Sequence, residues 1–283
     1  GGLSVRIDRP GAGAASILIG DSPGFGSAQK VAGKCGILAA ARELGVEVVN
    51  FEESVALPAP EGFHNRSFQI AREILEADIV INLPKFKTHA MMVMTLAVKN
   101  MFGAIAGTAK ADLHLRMPDY IKFADCLIDI FLSVKPTLNI MDGIDGMEGY
   151  GPTNGIPRRL GVLLASRDGF ALDATALKII NLPVEKVPVM RNARERKLLD
   201  EEIRLVGEPI ESVMVSDYNI PLLNENERID KFNRGVMKFI KNRMRPRPEI
   251  QNSLCVECGN CVRNCPPGVI AIGKDRKPCI EYK

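Results

Sequence analysis

Hydrophobic and polar positions follow two alternating patterns along most of the chain. From Ala15 to about Ser216, short apolar runs alternate with longer segments in which apolar residues recur at helical spacing. Short apolar runs are typical of buried strands, and the longer periodic segments are typical of helices that pack through one face. The chain therefore predicts an α/β fold with a mainly parallel sheet flanked by helices.

The strands and helices of this fold are predicted from those patterns and from the turn-forming residues between them. Gly45 is expected to close the first helix as its C-cap. Helical crossovers between strands favour parallel neighbours, because antiparallel neighbours need only a tight turn. The predicted strands are Ser16–Gly20, Glu47–Phe51, Asp78–Leu83, Thr137–Asp142, Gly161–Ser166 and Ser212–Val215. The predicted helices are Gln29–Leu44, Phe68–Glu76, Met91–Asn100, Asp119–Val134 and Leu172–Ile180.

The chain changes character after Tyr218. Between Arg228 and Arg247, basic residues recur opposite apolar residues at helical spacing. This pattern predicts an amphipathic basic helix, and Pro246 and Pro248 are expected to end it. The basic residues are Arg228, Lys231, Arg234, Lys238, Lys241, Arg243, Arg245 and Arg247, and the apolar ones are Ile229, Phe232, Val236 and Ile240.

These patterns divide the chain into three parts. We expect an α/β domain at residues 1–218, a basic helical linker at 219–248 and a cysteine module at 249–283. The basic helix is interpreted as a docking helix with a solvated outer face. A surface for an acidic redox partner protein or for an anionic membrane is the alternative. Nucleic acid is not expected as a partner, because no aromatic platform accompanies the charges.

Four cysteines near the C-terminus carry the most specific chemical signal in the sequence. Cys255, Cys258, Cys261 and Cys265 are spaced C-x2-C-x2-C-x3-C, and Pro266 follows directly. Thiolates at three-residue intervals let one loop reach three corners of a 4Fe-4S cluster, and the cysteine before proline ligates a different cluster. The motif therefore predicts a ferredoxin-type 4Fe-4S site on the first three cysteines, with Cys265 as a ligand of a partner cluster.

Zinc and disulfides are the alternatives for these cysteines. Structural zinc sites usually separate two C-x2-C pairs by a longer span, whereas all four cysteines crowd into one turn here. Disulfides would have to close very short loops. The chain has two cysteines before residue 254, Cys35 and Cys126. Both lie in apolar helical stretches and are expected to be buried, reduced thiols.

One ferredoxin-type motif is half of a two-cluster module. Cys279 has no C-x2-C companions and precedes Ile280 instead of a proline, so it is expected to be a strand residue. The chain also opens at Gly1 and not at a methionine. We therefore expect a fragment whose continuation carries the other half of the module and a second cluster.

Basic and polar residues cluster after one of the predicted strands. Lys85, Lys87 and His89 leave the end of that strand, and Lys99 and Asn100 lie further along the chain. Open α/β sheets bind ligands at the carboxyl ends of their strands. These residues therefore predict an electropositive cleft for an anionic small molecule, a carboxylate or a phosphate. The alternative is that the lysines are solvated and that His89 caps or packs.

Three acids recur at three-residue spacing in a glycine-rich segment. Asp142, Asp145 and Glu148 are candidates to bind a divalent cation or, like His89, to act as acid/base groups. The alternative is a structural loop whose glycines supply positive φ angles. Asp173 is expected to stabilise the start of a helix. The glycines of the segment are Gly143, Gly146, Gly149, Gly151 and Gly155.

Together, these segments resemble a known protein family. Gly20–Gly24, Leu83–His89, Ala97–Gly103, Met141–Gly155 and Asp168–Ala174, with the cysteine module, are similar to the family known as domain of unknown function 362. The resemblance implies an α/β body that often carries paired ferredoxin-type motifs, and it implies no particular reaction. An early strand before the first of these segments and a second cysteine motif, both usual in that family, are not visible in this sequence.

Composition and missing motifs narrow the function further. Hydrophobic residues make up 46% and charged residues 25% of the chain, which is the balance of a globular protein, and the net charge of +3 names no partner. No apolar run is long enough to span a bilayer and no signal peptide is visible, so a cytoplasmic location is predicted. The sequence contains no G-x-G-x-x-G after the first strand, no Walker sequence and no G-x-S-x-G. Nicotinamide-binding, nucleotide triphosphate-binding and serine-hydrolase functions therefore lack their usual motifs.

These observations predict a 4Fe-4S protein of electron transfer or redox chemistry, coupled to an α/β domain that binds an anionic small molecule. If the body is catalytic, as in an iron-sulfur oxidoreductase, His89 or one of the acids Asp142, Asp145 and Glu148 would carry protons. The alternative is a non-redox binding protein in which the cluster is a structural staple or a redox sensor.

Overall fold

The computed structural model forms two compact units, residues 1–223 and 224–283. It describes residues 3–6, 16–23, 27–59, 65–107, 109–110, 113, 117, 119–221, 250, 253, 255–263, 270–273 and 277–280. The basic helix predicted over 228–247 and Cys265 lie outside the described residues.

The larger unit contains an eight-stranded sheet and a separate two-stranded hairpin. Its strands are β1 (Leu3–Arg6), β2 (Leu18–Asp21), β3 (Glu47–Asn50), β4 (Ser54–Pro58), β5 (Ser67–Ala71), β6 (Ile81–Leu83), β7 (Lys85–His89), β8 (Val93–Thr95), β9 (Leu138–Glu148) and β10 (Ile156–Ser166). Strands β4 and β5 form the antiparallel hairpin.

The order of strands along the sheet is β3-β2-β1-β6-β9-β7-β8, and β10 pairs with β9. The pairs β2–β3, β6–β9 and β7–β9 are parallel. The pairs β1–β2, β1–β6, β7–β8 and β9–β10 are antiparallel. The predicted α/β class, with parallel strands flanked by helices, is confirmed, in a sheet that mixes the two kinds of pairing.

The helices of the larger unit connect and cover these strands. They are α1 (Ala28–Lys34), α2 (Ile37–Glu43), α3 (Arg72–Leu75), α4 (Ala97–Asn100), α5 (Tyr120–Val134), α6 (Gly169–Ile179) and α7 (Pro188–Glu195). Ser27, Asp119 and Asp168 begin α1, α5 and α6 as N-caps, because each side chain accepts a hydrogen bond from the first turn. A 3₁₀ turn, Met101–Ala104, directly follows α4.

The core places α4 between two hydrophobic clusters. One cluster surrounds α5, where Phe102 and Phe123 meet edge to face with ring centroids 5.4 Å apart, and Val98 belongs to it. The other cluster lies between α6 and the strands around Phe86, and Ala97 belongs to that one. Because consecutive residues of α4 are buried in different clusters, the position of this short helix is fixed from two sides.

Several predicted elements differ from the structure. The helix predicted over Gln29–Leu44 is two helices, because Gly36 has a left-handed φ of 80° at the break. Gly45 follows α2 with a φ of 66°, as expected of a glycine that ends a helix. The helix predicted over Phe68–Glu76 was wrong in its first half, where buried and exposed residues alternate along β5, and right over α3.

One further helix prediction and one strand prediction also need correction. The first half of the helix predicted over Met91–Asn100 is the strand β8, and only its end is helical. The strand predicted at Ser212–Val215 is absent, since a 3₁₀ turn ends at Ser212 and Val213–Val215 contains no described strand. An early strand, which the sequence did not indicate, is present as β1 between β2 and β6.

The smaller unit contains α8 (Asn260–Arg263) and an antiparallel pair, β11 (Ile270–Ile272) and β12 (Pro278–Ile280). Cys279 is a residue of β12, as predicted, and its thiol lies 3.5 Å from the Ala271 carbonyl oxygen. In the larger unit, Cys126 is buried as expected, but Cys35 is exposed because it sits at the break between α1 and α2. No helix within the described ranges combines the length and apolarity that crossing a membrane requires.

Candidate functional site

Strand β7 presents the predicted basic residues on one side. Lys85, Lys87 and His89 are half-buried, whereas Phe86 and Thr88 between them are fully buried. Successive residues of a strand point to opposite faces, so the three basic residues share a face. The strand runs parallel to β9, and Lys85 lies opposite Asp142 in the register of the two strands.

Helix α4 carries Lys99 into the same region of the molecule. The carboxylate of Asp173, a buried residue of α6, accepts hydrogen bonds from the backbone nitrogens of Ala97 at 2.6 Å and Val98 at 3.0 Å. These bonds satisfy the free N–H groups at the start of α4. Asp173 therefore stabilises the start of a helix, as expected, but the helix is α4 and not its own.

Lys99 is buried without a counter-ion among the described residues. Only 9% of its surface is exposed, and its Nζ lies 5.8 Å from the centroid of the Phe102 ring. Burial, together with the charges of Lys110 and Lys87, lowers the pKa of Lys99 to about 7. The amine is therefore poised between its neutral and charged forms near neutral pH.

Lys110 and Asp21 complete this group, and the sequence did not single out either as a site residue. Lys110 Nζ donates a hydrogen bond to the Ser22 carbonyl and lies 5.1 Å from the centroid of Phe102. Burial lowers the pKa of Lys110, although the charge of Asp21 opposes that shift. Burial raises the pKa of Asp21, against the charges of Lys110 and Lys87. Asp21 is the last residue of β2, and the end of a strand is where ligand-binding residues are expected. Lys110 lies outside every motif identified in the sequence.

We call Lys87, Lys99 and Lys110 the lysine cluster. The Nζ atoms of Lys99 and Lys110 lie 5.8 Å and 5.1 Å from the centroid of the same ring, Phe102, and the charges of Lys87 and Lys110 both lower the pKa of Lys99. Asp21 is the carboxylate on which the charges of Lys87 and Lys110 act, so the three lysines and Asp21 together carry an excess of positive charge in a partly buried region. Such a region attracts an anion, because field lines are less screened there than in water.

The other predicted ligand-binding residues make hydrogen bonds within the protein. Lys85 Nζ lies 2.7 Å from Asp142 Oδ2 in a half-exposed ion pair. Asn100 Nδ2 donates to Asn82 Oδ1 at 2.6 Å, as part of a buried amide network that ties α4 to the sheet. The network gives Asn100 a structural contact that the sequence did not reveal.

His89 also bonds to the backbone of its own turn. Its Nδ1 accepts hydrogen bonds from the backbone nitrogens of Met91 at 3.2 Å and Met92 at 3.3 Å. A ring nitrogen that accepts carries no proton, so this geometry assigns the hydrogen of the neutral imidazole to Nε2. The cap that was one interpretation of His89 is therefore present.

The three acids lie along one strand and not in a loop. Strand β9 continues past the predicted end at Asp142 as far as Glu148, paired with β10. Asp145 lies 3.4 Å from Arg159, and Glu148 accepts a hydrogen bond from the backbone nitrogen of Asn219 at 3.1 Å. Among the described residues, no three His, Cys, Asp or Glu side chains form a group that could hold a metal ion. The structure therefore does not bring the acids together as a cation site.

The glycines of this segment serve close packing more than unusual backbone angles. Of the five, Gly149 alone has a positive φ, at 76°. A Cβ at Gly151 would lie 2.0 Å from the Thr88 carbonyl oxygen, and a Cβ at Gly146 would lie 2.9 Å from that of Phe86. Glycine is required where two backbones approach this closely. The turn interpretation thus holds at Gly149, whereas Gly146 and Gly151 let β9 and the following turn approach β7.

The cysteine segment curls tightly within the smaller unit. Glu257 and Gly259 have left-handed φ angles of 57° and 70°, and α8 begins directly afterwards. Cys255 is half-buried, whereas Cys258 and Cys261 are exposed. None of the described cysteines forms a disulfide. Reduced thiols at three-residue intervals on a curled backbone are the donor set that a 4Fe-4S cluster takes.

Comparison with known proteins agrees with both parts of the molecule. The family model described as Domain of unknown function (DUF362) matches residues 5–178. The chain belongs to this family. A second family model, described as a 4Fe-4S binding domain, matches residues 247–270, which contain all four cysteines of the motif. The chain therefore combines a DUF362 domain with a 4Fe-4S binding domain, and it binds a 4Fe-4S cluster.

One relative is informative about length. The thylakoid-associated protein sll1697 of Synechocystis sp. is 39% identical over 180 residues, which is 63% of this chain and 55% of that protein. The chain thus spans about half the length of this curated relative. No solved structure matches the chain.

Proposed function

We propose that this DUF362 protein couples electron transfer through its iron-sulfur module to an α/β domain that binds an anionic small molecule. The observation that carries the anion site is the lysine cluster, in which Lys99 is buried beside two other lysines with no counter-ion among the described residues. Buried charges are normally paired. A buried lysine beside two half-buried lysines is best explained by an anionic ligand that compensates their charge.

In this proposal the cysteines divide between two clusters. Cys255, Cys258 and Cys261 hold one 4Fe-4S cluster, and Cys265 reaches a partner cluster in the complete two-cluster module. A bound cluster supplies one-electron transfer. The chain's own contribution is the curled segment, whose backbone N–H groups can donate to sulfur and so help set the potential. A redox partner protein then exchanges electrons with the exposed side of this segment.

In the α/β domain, the proposed roles follow from distance to the lysine cluster. Lys87 and Lys99 supply charge to the ligand directly, while Lys85 and Asn100 hold the surrounding backbone through Asp142 and the amide network. If the ligand reacts, His89 Nε2 is the proposed proton carrier, because Nδ1 is occupied by backbone donors. Asp142, Asp145 and Glu148 stay secondary candidates for that role.

The proposed domain organisation stays as the sequence predicts it, with an α/β domain at 1–218, a basic linker at 219–248 and the cysteine module at 249–283. A cytoplasmic location also stays a prediction. The relative is described as thylakoid-associated, which makes a membrane surface a second place to look for the protein.

Anaerobic potentiometry tests the electron-transfer proposal. The protein is reconstituted with iron and sulfide and titrated while electron paramagnetic resonance follows the reduced cluster, with and without sulfate as an anion probe. We expect a reversible low-potential couple and a shift of its midpoint when sulfate binds. A cluster that cannot be reduced, but whose loss unfolds the module, would instead identify a structural staple.

Two cysteine variants provide the matched control. Cys258→Ser removes a proposed ligand and should eliminate the cluster signal, whereas Cys35→Ser removes an exposed thiol of the larger unit and should leave the signal unchanged. Equal iron content in the two variants would contradict the assignment of Cys258.

A further inference from the structure

We propose that Lys87, Lys99 and Lys110 bind a dianionic oxyanion, and that Lys99 takes up a proton when this ligand binds. The inference rests on the proposed anion site and adds the charge of its ligand and the coupling of binding to a proton. It concerns only residues of the larger unit.

The charges of the described residues define the ligand. Lys99 is 9% exposed, its Nζ and that of Lys110 lie at the same Phe102 ring, and the charge of Lys87 acts on both lysines. Asp21 contributes one opposing carboxylate beside Lys110, so these four described side chains, when all are ionised, carry two surplus positive charges. A monoanion would leave one of them uncompensated in a region of low hydration, whereas a dianion compensates both. Lysine ammonium groups bind sulfate- and phosphate-like oxyanions as point charges with rotatable donors, which suits a ligand held from several directions.

The groups that face Lys99 explain why a proton accompanies the ligand. Lys87 approaches from β7 and Lys110 from the segment after the 3₁₀ turn, and both repel a charged Lys99. Asp173 faces α4 from α6, but its carboxylate is occupied by the backbone nitrogens of Ala97 and Val98. Asp21 raises the pKa of Lys110 but is not among the charges that shift the pKa of Lys99. Lys99 thus has no counter-ion within the described part of the chain, and the ligand would supply one.

Protonation of Lys99 makes anion affinity depend on pH. In the free protein the pKa of Lys99 is lowered to about 7 by burial and by its two cationic neighbours. A bound dianion favours the charged form and raises this pKa. At pH 8 the free amine is mostly neutral, so binding draws in a proton, whereas at pH 6 the amine is already charged and little uptake remains. Anion affinity should accordingly fall as pH rises above 7.

Isothermal titration calorimetry with sulfate and methyl sulfate tests both statements. The two probes share a sulfur–oxygen group but differ by one charge, and sulfate stays a dianion throughout the pH range. Titrations at constant ionic strength, in buffers of different ionisation enthalpy, report protons taken up. We expect sulfate to bind about tenfold more tightly than methyl sulfate. We also expect uptake of about one proton at pH 8 and much less at pH 6.

Variants assign these effects to the cluster. Lys99→Met should weaken sulfate binding and abolish proton uptake, whereas Lys99→Arg, which stays charged, should bind sulfate without uptake. Lys122→Met changes an exposed lysine of α5 and should alter neither quantity. Malonate in place of sulfate shows whether a dicarboxylate or a tetrahedral oxyanion fits better.

The outcomes separate this inference from the proposed function. The inference is overturned, but the anion site stays in place, if sulfate and methyl sulfate bind equally and without proton uptake while Lys87→Met weakens the binding of both. Binding that is the same in Lys87→Met, Lys99→Met and Lys122→Met would overturn both. Circular dichroism of each variant establishes that it is folded, and Lys99→Arg supplies the test if Lys99→Met is not.

Discussion

Asp129 and Lys99 are both buried charged side chains of the larger unit, but their surroundings are opposite. Asp129 is fully buried in α5, and its Oδ1 lies 2.8 Å from Arg196 Nη1. Lys99 is nearly as buried, and the charged groups that influence it most are two further lysines. A buried charge with a partner of opposite sign stabilises the fold. A buried charge next to like charges is instead a candidate to bind a ligand of opposite charge. The comparison therefore separates structure from function within one domain.

The largest effect is expected at the paired charge. Arg196→Ala leaves Asp129 buried without its guanidinium and should lower the free energy of unfolding by about 3 to 5 kcal/mol. Urea denaturation measures the change. Arg194→Ala, two residues earlier in the chain but in an exposed ion pair with Glu185, is the control and should lower the free energy of unfolding by less than about 1 kcal/mol. Similar losses for both variants would show that Asp129 does not depend on Arg196.

The unpaired charge should respond in the opposite direction. Lys99→Met removes a charge that is costly to bury and should raise the free energy of unfolding at pH 6 by about 1 to 4 kcal/mol. Because the pKa of Lys99 is lowered from 10.5 to about 7 in the folded state, the unfolded chain holds its proton in this range and the folded one releases it. Wild-type stability should therefore rise with pH between 7 and 10 relative to the variant. Denaturation curves across that range check this, and a destabilised variant at pH 6 would contradict it.

Asp173 lies between the two cases, since it is buried and bonded to backbone and not to a cation. Asp173→Asn keeps one acceptor oxygen and loses the other, which should lower the free energy of unfolding by about 1 to 3 kcal/mol. Burial raises the pKa of Asp173 to about 7, despite the opposing hydrogen bonds from Val98 and Ala97. Wild-type stability should consequently fall, relative to the variant, as pH rises from 4 through 7. Parallel pH profiles of wild type and variant would count against a titrating Asp173.

The smallest effect is expected at the exposed pair of Lys85 and Asp142. Their side chains are 38% and 48% exposed, so solvent screens the interaction. Lys85→Ala should lower the free energy of unfolding by less than about 1 kcal/mol. It should also weaken sulfate binding less than Lys87→Ala does, because Lys85 already has a carboxylate partner. An equal or larger loss of affinity for Lys85→Ala would place Lys85 inside the site.

Parts of this arrangement follow from sequence and parts do not. The cysteine spacing predicted the cluster, because ligand spacing is a local property of the chain. Lys87 and Lys99 were predicted as site residues from the rule that α/β sheets bind ligands at the carboxyl ends of their strands. Lys110 was missed because its place beside Asp21 depends on packing between segments far apart in sequence, and no local pattern reports such packing.

The loop predicted around the three acids was wrong for a different reason. Their glycine-rich surroundings predicted a loop, since glycine is common in turns. In the structure the glycines let β9 lie close against β7, so the strand continues to Glu148. The break between α1 and α2 at Gly36 was missed for a similar reason. A glycine in a helical pattern can continue the helix or end it in a left-handed conformation, and tertiary packing decides between the two.

The most direct test of the central claim is to locate an anion in crystals of the protein. Selenate mimics sulfate and its selenium scatters anomalously, so a soaked crystal reveals each bound ion. We predict an anomalous peak with selenate oxygens within about 3 Å of the Nζ atoms of Lys87 and Lys99. A well-occupied selenate elsewhere in the larger unit, with none beside these lysines, would contradict the account.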